Sequence, residues 1–184
     1  MAAPATTSPA VLALVRWAVG GGDAGGRPFA VVDKLQARLH VFAADGQLRG
    51  SAPALLGLAR GDQSAPGVGN RVLSGIAPQQ RTTPAGRFAS EPGHNLRGEA
   101  LVWVDYDAAV AIHRLRPADP AERRPQRLLS DSPDDNRISL GCIVVDGSFY
   151  DQVLAPGLGR QRGVVYVLPD SGDWTTLFSA AAGV

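Results

Sequence analysis

The pattern of apolar and polar positions predicts mostly strands, one with the two-residue period of a half-buried strand and the others as short apolar runs. Residues 37–43 read Ala-Arg-Leu-His-Val-Phe-Ala, which puts Leu39, Val41 and Ala43 on one face and leaves His40 half-exposed on the other. Asp45-Gly46 is a hairpin turn, and residues 48–56 return as the partner strand. Apolar runs at 29–33, 100–105, 109–113 and 163–168 predict further strands, and the Pro84–Gly86 turn leads into another near Phe88. Helical spacing is rarer. Ser8-Pro9 supplies an N-cap and a first-turn proline for a helix over 10–19, which Gly20-Gly21-Gly22 ends. Asp146 caps a second helix carrying Phe149, Tyr150, Val153 and Leu154, closed by Pro156-Gly157, and Asp173 opens a short tail helix to Ala182. Residues 1–9 read as disordered, 57–69 and 91–98 (with His94) as loops, and 70–77 as one helical turn. Residues 114–136 are charged and proline-rich without periodicity, and a loop of that length usually has a function such as a lid.

Strands outnumber helices, so the predicted class is mainly β. The 22 glycines and 14 prolines supply the turns such a fold needs. At 184 residues the chain forms one domain with a core large enough to need neither disulfide nor metal. A formal net charge of +1 gives no reason to expect nucleic acid or an anionic membrane surface as partner. No apolar run approaches the length of a membrane span. The stretch 11–19 is interrupted by Arg16 and lacks the basic flank of a signal peptide, so the chain is either cytosolic or begins after a removed signal. The organisation read from these patterns is an N-terminal arm, helix and glycine-rich link at 1–28, a main domain at 29–170 and a tail at 171–184.

Candidate chemistry centres on Ser139-Leu140-Gly141-Cys142-Ile143-Val144-Val145, which holds the single cysteine. A lone cysteine is commonly plain core. Here a glycine that permits a sharp turn precedes it, and a β-branched run follows it and anchors it in the interior. Such a thiol suits a nucleophile with backbone N–H groups beside it as an oxyanion site. A thiol of ordinary pKa needs a base, and His113, at the end of another apolar strand, is the best placed of the three histidines. Asp105, Asn136 or a backbone carbonyl such as that of Arg114 could orient the ring. One cysteine and three scattered histidines give no metal-ligand spacing, and no phosphate-binding or dinucleotide motif is present, so neither metal nor cofactor is expected.

These residues, together with Val32-Asp33, the hairpin around Asp45-Gly46, Thr83-Pro84-Ala85-Gly86-Arg87-Phe88 and the run from Gly163 to Val167, occur in an order that resembles the L,D-transpeptidase catalytic domain, the cysteine enzymes that cross-link peptidoglycan. The resemblance covers roughly residues 29–169. It implies a β-sandwich with a helix beside the active site and a short N-terminal helix. It implies Cys142 as nucleophile, His113 as base, the Arg114 backbone carbonyl as its orienter, and the N–H groups of Gly141 and Cys142 as the oxyanion site. It implies peptidoglycan stem peptides as donor and acceptor, a Cys142 thioester intermediate, and a periplasmic location. Three positions depart from the family pattern: Leu140 stands where a histidine is usual, Val144 where an arginine or asparagine is usual, and Arg114 where a glycine is common. Arg137, Asn136 or Arg114 could replace the lost polar contacts, with Ser139, Leu140 and Tyr106 completing substrate binding. Two other outcomes stay open at this level: a thiol amidase or carboxypeptidase that passes the acyl group to water, and a non-catalytic peptidoglycan-binding module on the same fold.

Overall fold

The computed structural model describes residues 7–171 and 173–179. Most of the predicted disordered arm (1–6) and the last part of the predicted tail helix (180–182) lie outside the described residues. The first helix, α1, spans Pro9–Gly20: the Ser8 side chain accepts from Val11 N–H, and Pro9 occupies the first helical position. Ser8 Oγ also donates to Asp33 Oδ2 (2.6 Å), which ties the helix start to the end of the first strand.

Among the described residues ten strands follow: β1 Phe29–Asp33, β2 Arg38–Phe42, β3 Leu48–Pro53, β4 Leu56–Gly57, β5 Gly86–His94, β6 Ala100–Asp105, β7 Val110–Arg114, β8 Arg137–Ser139, β9 Ile143–Val145 and β10 Gly163–Val167. Eight form one mixed sheet in the order β3-β2-β1-β10-β5-β6-β7-β9, and β4 pairs with β8. Only β1/β10 and β7/β9 are parallel within the large sheet. Its two ends are tied together. Just past β3, Ala54 N–H donates to Ala37 O, while Leu55 exchanges both backbone hydrogen bonds with Val144 of β9 (2.8 and 2.9 Å). One core therefore draws on both ends of the sheet: Ala30, Val32, Leu39 and Val41 at one, Val102, Ile112, Ile143 and Val145 at the other. The opposite face of β1 and β10 (Phe29, Val31, Val164, Tyr166) is covered by Val11, Leu14 and Ala18 of α1 and by Phe178 of α4, Thr175–Ser179.

The helix after β9 starts as α3, Gly147–Phe149, and widens into a π-helical turn at Tyr150–Leu154. Its Asp146 cap accepts from the N–H groups of Ser148 and Phe149, as the sequence predicts. Tyr150 and Leu154 enter the main core.

Several expectations change. The strand predicted over 48–56 breaks after Pro53, because the chain leaves β2 to reach Val144 and then β8. The first half of the loop predicted at 91–98 is strand: Glu91–His94 pairs with Trp103–Ala100, and the turn is confined to Asn95–Glu99, whose Asn95 Oδ1 accepts from the N–H groups of Arg97 and Glu99. Residues 70–77 hold parts of short 3-10 turns at Val68–Asn70 and Leu73–Gly75. His40 is buried at 1% exposure, because β2 is covered on both faces. The segment 114–136 contains a 3-10 turn, Pro120–Glu122, and a short helix, α2 Arg124–Leu128, and Leu128 packs with Leu55 and Val144 to hold it against the sheet.

Candidate active site

The predicted cysteine strand is two strands with a kink between them. β8 ends at Ser139, β9 begins at Ile143, and Leu140-Gly141-Cys142 crosses from one to the other. The kink depends on Gly141, whose φ is +137° and whose Cα lies so close to its neighbours that an added Cβ would sit 2.9 Å from Thr82 O. Two hydroxyl side chains hold it. Ser139 Oγ donates to Cys142 O (2.6 Å) and accepts from Gly141 N–H (3.1 Å). Thr83 Oγ1 donates to Gly141 O (2.8 Å) and accepts from Gly57 N–H (2.8 Å). Thr83 is fully buried, so the Thr-Pro turn picked out in the sequence braces the cysteine loop.

His113 is set beside this loop by strand register. It pairs with Val144 across β7/β9, so the pleat puts His113, Val144 and, two residues back, Cys142 on one face. The core residues Ile112 and Ile143 point the other way. His113 and Cys142 border the same cavity of about 330 Å³. His113 Nδ1 lies 2.8 Å from Arg114 O. A carbonyl can only accept, so the neutral ring carries its proton on Nδ1 and keeps the Nε2 lone pair as a base. Burial, reinforced by the nearby Arg116 and Arg124 and opposed by the Arg114 contact and Glu99, lowers the His113 pKa to about 4. The imidazole is therefore neutral at pH 7.

Cys142 is partly exposed. Burial of its sulfur raises the thiol pKa, against a backbone hydrogen bond from Ala111 and the charge of Arg116, which lower it. The thiol donates to Ala109 O at 3.6 Å and is not hydrogen-bonded to His113. The arrangement is thus a neutral thiol and a neutral imidazole facing one cavity. It can attack an electrophile when an incoming group turns the thiol toward Nε2.

The other residues singled out in the sequence divide. Ser139 and Leu140 line the cavity. Arg137 does not: it is 6% exposed and donates to Asp170 Oδ1 (2.7 Å) and Lys34 O (3.2 Å), in a network where the buried Lys34 ammonium also meets Gly61 O, Asp62, Thr83 O and Asp170. Asn136 is also buried and donates to Ala54 O. Both belong to the scaffold, because β8 is pinned between β4 and these polar anchors. The Arg114 side chain lies over the Tyr150 ring (4.0 Å) and pairs with Asp151, so it clamps the helix to β7 and only its carbonyl serves the site. Tyr106 is 75% exposed, stacks edge-on against Trp103 and does not line the cavity. The Gly141 N–H expected at the oxyanion site is already taken by Ser139 Oγ. In the sequence Arg124 reads as part of a solvated face and Arg71 and Arg116 carry no signal, yet all three line the cavity. Their setting in proline-rich loops resembles a solvated charged surface, and only the fold brings 66–80 and 114–124 to the same rim. Among the described residues no group of three or more His, Cys, Asp or Glu is placed to hold a metal ion. Nor is any helix long and apolar enough to cross a membrane.

No family model and no curated protein matches the chain. Solved structures do. The helical cell shape determining protein Pgp2 from Campylobacter jejuni aligns over 78% of this chain with 15% identity and a TM-score of 0.50. An L,D-transpeptidase from Xylanimonas cellulosilytica aligns over 87% of this chain and 70% of its own, with 15% identity and a TM-score of 0.47. The LD transpeptidase LdtMt1, solved in complex with imipenem, aligns over 76% of this chain and 58% of its own, with 16% identity and a TM-score of 0.41. The chain spans 48% of the length of Pgp2. At this identity the likeness to Pgp2 establishes a shared mainly β fold.

Proposed function

We propose that the chain is a cysteine acyltransferase of peptidoglycan, an L,D-transpeptidase working through a Cys142 thioester with His113 as base. The observation that carries the reading is the placement of His113 and Cys142 on one cavity, with the imidazole tautomer set by Arg114 O. Nε2 takes the thiol proton as Sγ attacks a carbonyl of the donor stem peptide. The tetrahedral oxyanion is met by the N–H of Cys142, and on collapse the carbon–nitrogen bond breaks while the imidazolium returns its proton to the leaving amine. An acceptor amine then gives up a proton to His113, attacks the thioester and releases the thiol, which closes the cycle with a new amide cross-link. The fold shared with a cell-shape protein and the resemblance around Thr83, His113 and Cys142 agree with a peptidoglycan substrate and a periplasmic location.

Purified muropeptides test the outcome. Incubation with the protein is expected to yield cross-linked dimers, seen by chromatography and mass spectrometry, that are absent with Cys142→Ala. Shortened stems without dimers would assign a hydrolase instead, and unchanged muropeptides would remove the enzyme reading.

A further inference from the structure

The cavity that holds Cys142 has a one-sided charge. Arg71, Arg116 and Arg124 line it, and no Asp or Glu does. Arg116 and Arg124 come from the segment after β7, which Leu128 and Leu115 hold against Leu55 and Val144. Arg127 adds hydrogen bonds to Glu122 O and Asp135 O within the segment. Both arginines are therefore presented by an anchored element.

Each has one acidic neighbour, and each pair runs through Nε: Arg116 to Glu99 Oε2 at 2.7 Å and Arg124 to Glu122 Oε2 at 2.5 Å. Among the described residues, the terminal amino groups of these two guanidinium groups donate to no protein acceptor. Those are the N–H groups with which an arginine forks onto a carboxylate. Arg71 differs, since both its terminal groups are used, on Gln80 Oε1 and Pro66 O, and it adds charge alone. Arg116 and Arg124 also border a second cavity of about 410 Å³, so a ligand held there has room to run on past them.

We infer that Arg116 and Arg124 form an anion-recognition subsite that selects acyl donors carrying a carboxylate next to the scissile carbonyl. The subsite does the work that the buried Arg137 and Asn136 cannot do, and it sits on the 114–136 segment rather than on the cysteine strand. The preference of the subsite for an anion follows from the geometry alone. The peptide identity of its ligand rests on the peptidoglycan reading.

The test compares alkylation of Cys142 by iodoacetate, an anion, with alkylation by neutral iodoacetamide, each followed by intact mass and referred to the unfolded protein. Both reagents need the thiolate, so the ratio of their rates cancels any change in thiol pKa. The folded protein is expected to favour iodoacetate by about tenfold or more, and R116Q/R124Q to bring the ratio near that of the unfolded chain. R116K/R124K keeps the charge but not the fork, and is expected to fall between the parent and R116Q/R124Q. A ratio that R116Q/R124Q leaves unaltered, or one that the lysine and glutamine variants lose equally, overturns the inference. A second arm uses stem tetrapeptides that end in a free acid or an amide. The acid is expected to have the higher kcat/KM, chiefly through KM, with the difference gone in R116Q/R124Q. If neither peptide acylates Cys142, the proposed function fails while the iodoacetate ratio still decides the subsite.

Discussion

Cys142 rests as a thiol and His113 as a neutral imidazole, because burial disfavours the charged form of each. A preformed thiolate–imidazolium pair would react at an even rate across neutral and mildly acid pH. The rate of Cys142 alkylation by iodoacetamide is instead expected to climb steadily with pH beyond the ordinary thiol range near 8.5. A plateau reaching down to about pH 5 would contradict this account of the site. The imidazole stays available as a base down to its pKa of about 4. His113→Ala is expected to lower the rate of acylation near neutral pH by roughly 10²–10⁴-fold, measured by single-turnover mass spectrometry, while acylation at the wild-type rate would take His113 out of the mechanism. These two side chains were legible in the sequence because His113 closes one apolar strand run and Cys142 opens another. Arg137 and Asn136 were misread because a charged or amide residue next to a cysteine looks like a substrate contact until its burial is known.

At the scale of the element, the cysteine loop is shaped by its neighbours more than by itself. Thr83 bridges Gly57 and Gly141 through one buried hydroxyl. Thr83→Val keeps the shape but strands a buried N–H and a buried C=O, at a cost of about 1–3 kcal/mol each. The expected result is a lower Tm together with slower Cys142 alkylation, and a variant as stable and reactive as the parent would show that the brace is dispensable. The hairpin at Asp45-Gly46, the capped helices and most strands could be read from the sequence, because local turn and capping chemistry decides them. The breaks could not. Pro53 ends β3 and Gly141 splits β8 from β9 for reasons that lie across the sheet, in Val144 and Thr82. Likewise α2 is too short for a periodic signal, and Leu128 alone docks it.

For the whole molecule, two kinds of buried polar group set the response to acid. His40 is held neutral by burial, with a pKa lowered to about 4 despite the nearby Asp33, and His113 behaves alike. An unfolded histidine takes up its proton near pH 6.5, so these rings contribute stability that is complete above that pH and is lost as pH falls toward 4. Asp170 acts at lower pH. Burial opposes its charge, but the Gly61 N–H, Arg137 and Lys34 outweigh that and hold its pKa below the usual value. Its contribution is present above about pH 4 and disappears as pH drops through the lowered folded value. Tm is therefore expected to be level between about pH 6.5 and 8 and to fall progressively below about pH 6.5, with a further loss under about pH 4, and a Tm constant from pH 7 to 4 would contradict the assigned protonation states. The core that joins both ends of the sheet ties the site to the fold as a whole, since Val144, the partner of His113 across β7/β9, also exchanges backbone hydrogen bonds with Leu55. In the proposed function Cys142 is the nucleophile that becomes acylated. The most direct test of that role is intact-protein and peptide-level mass spectrometry of the protein mixed with a purified stem tetrapeptide and quenched in acid. The account requires a mass increase equal to the donor acyl group, mapped to Cys142 and missing in Cys142→Ala. An unmodified Cys142 alongside consumed peptide, or an adduct on another residue, would contradict it.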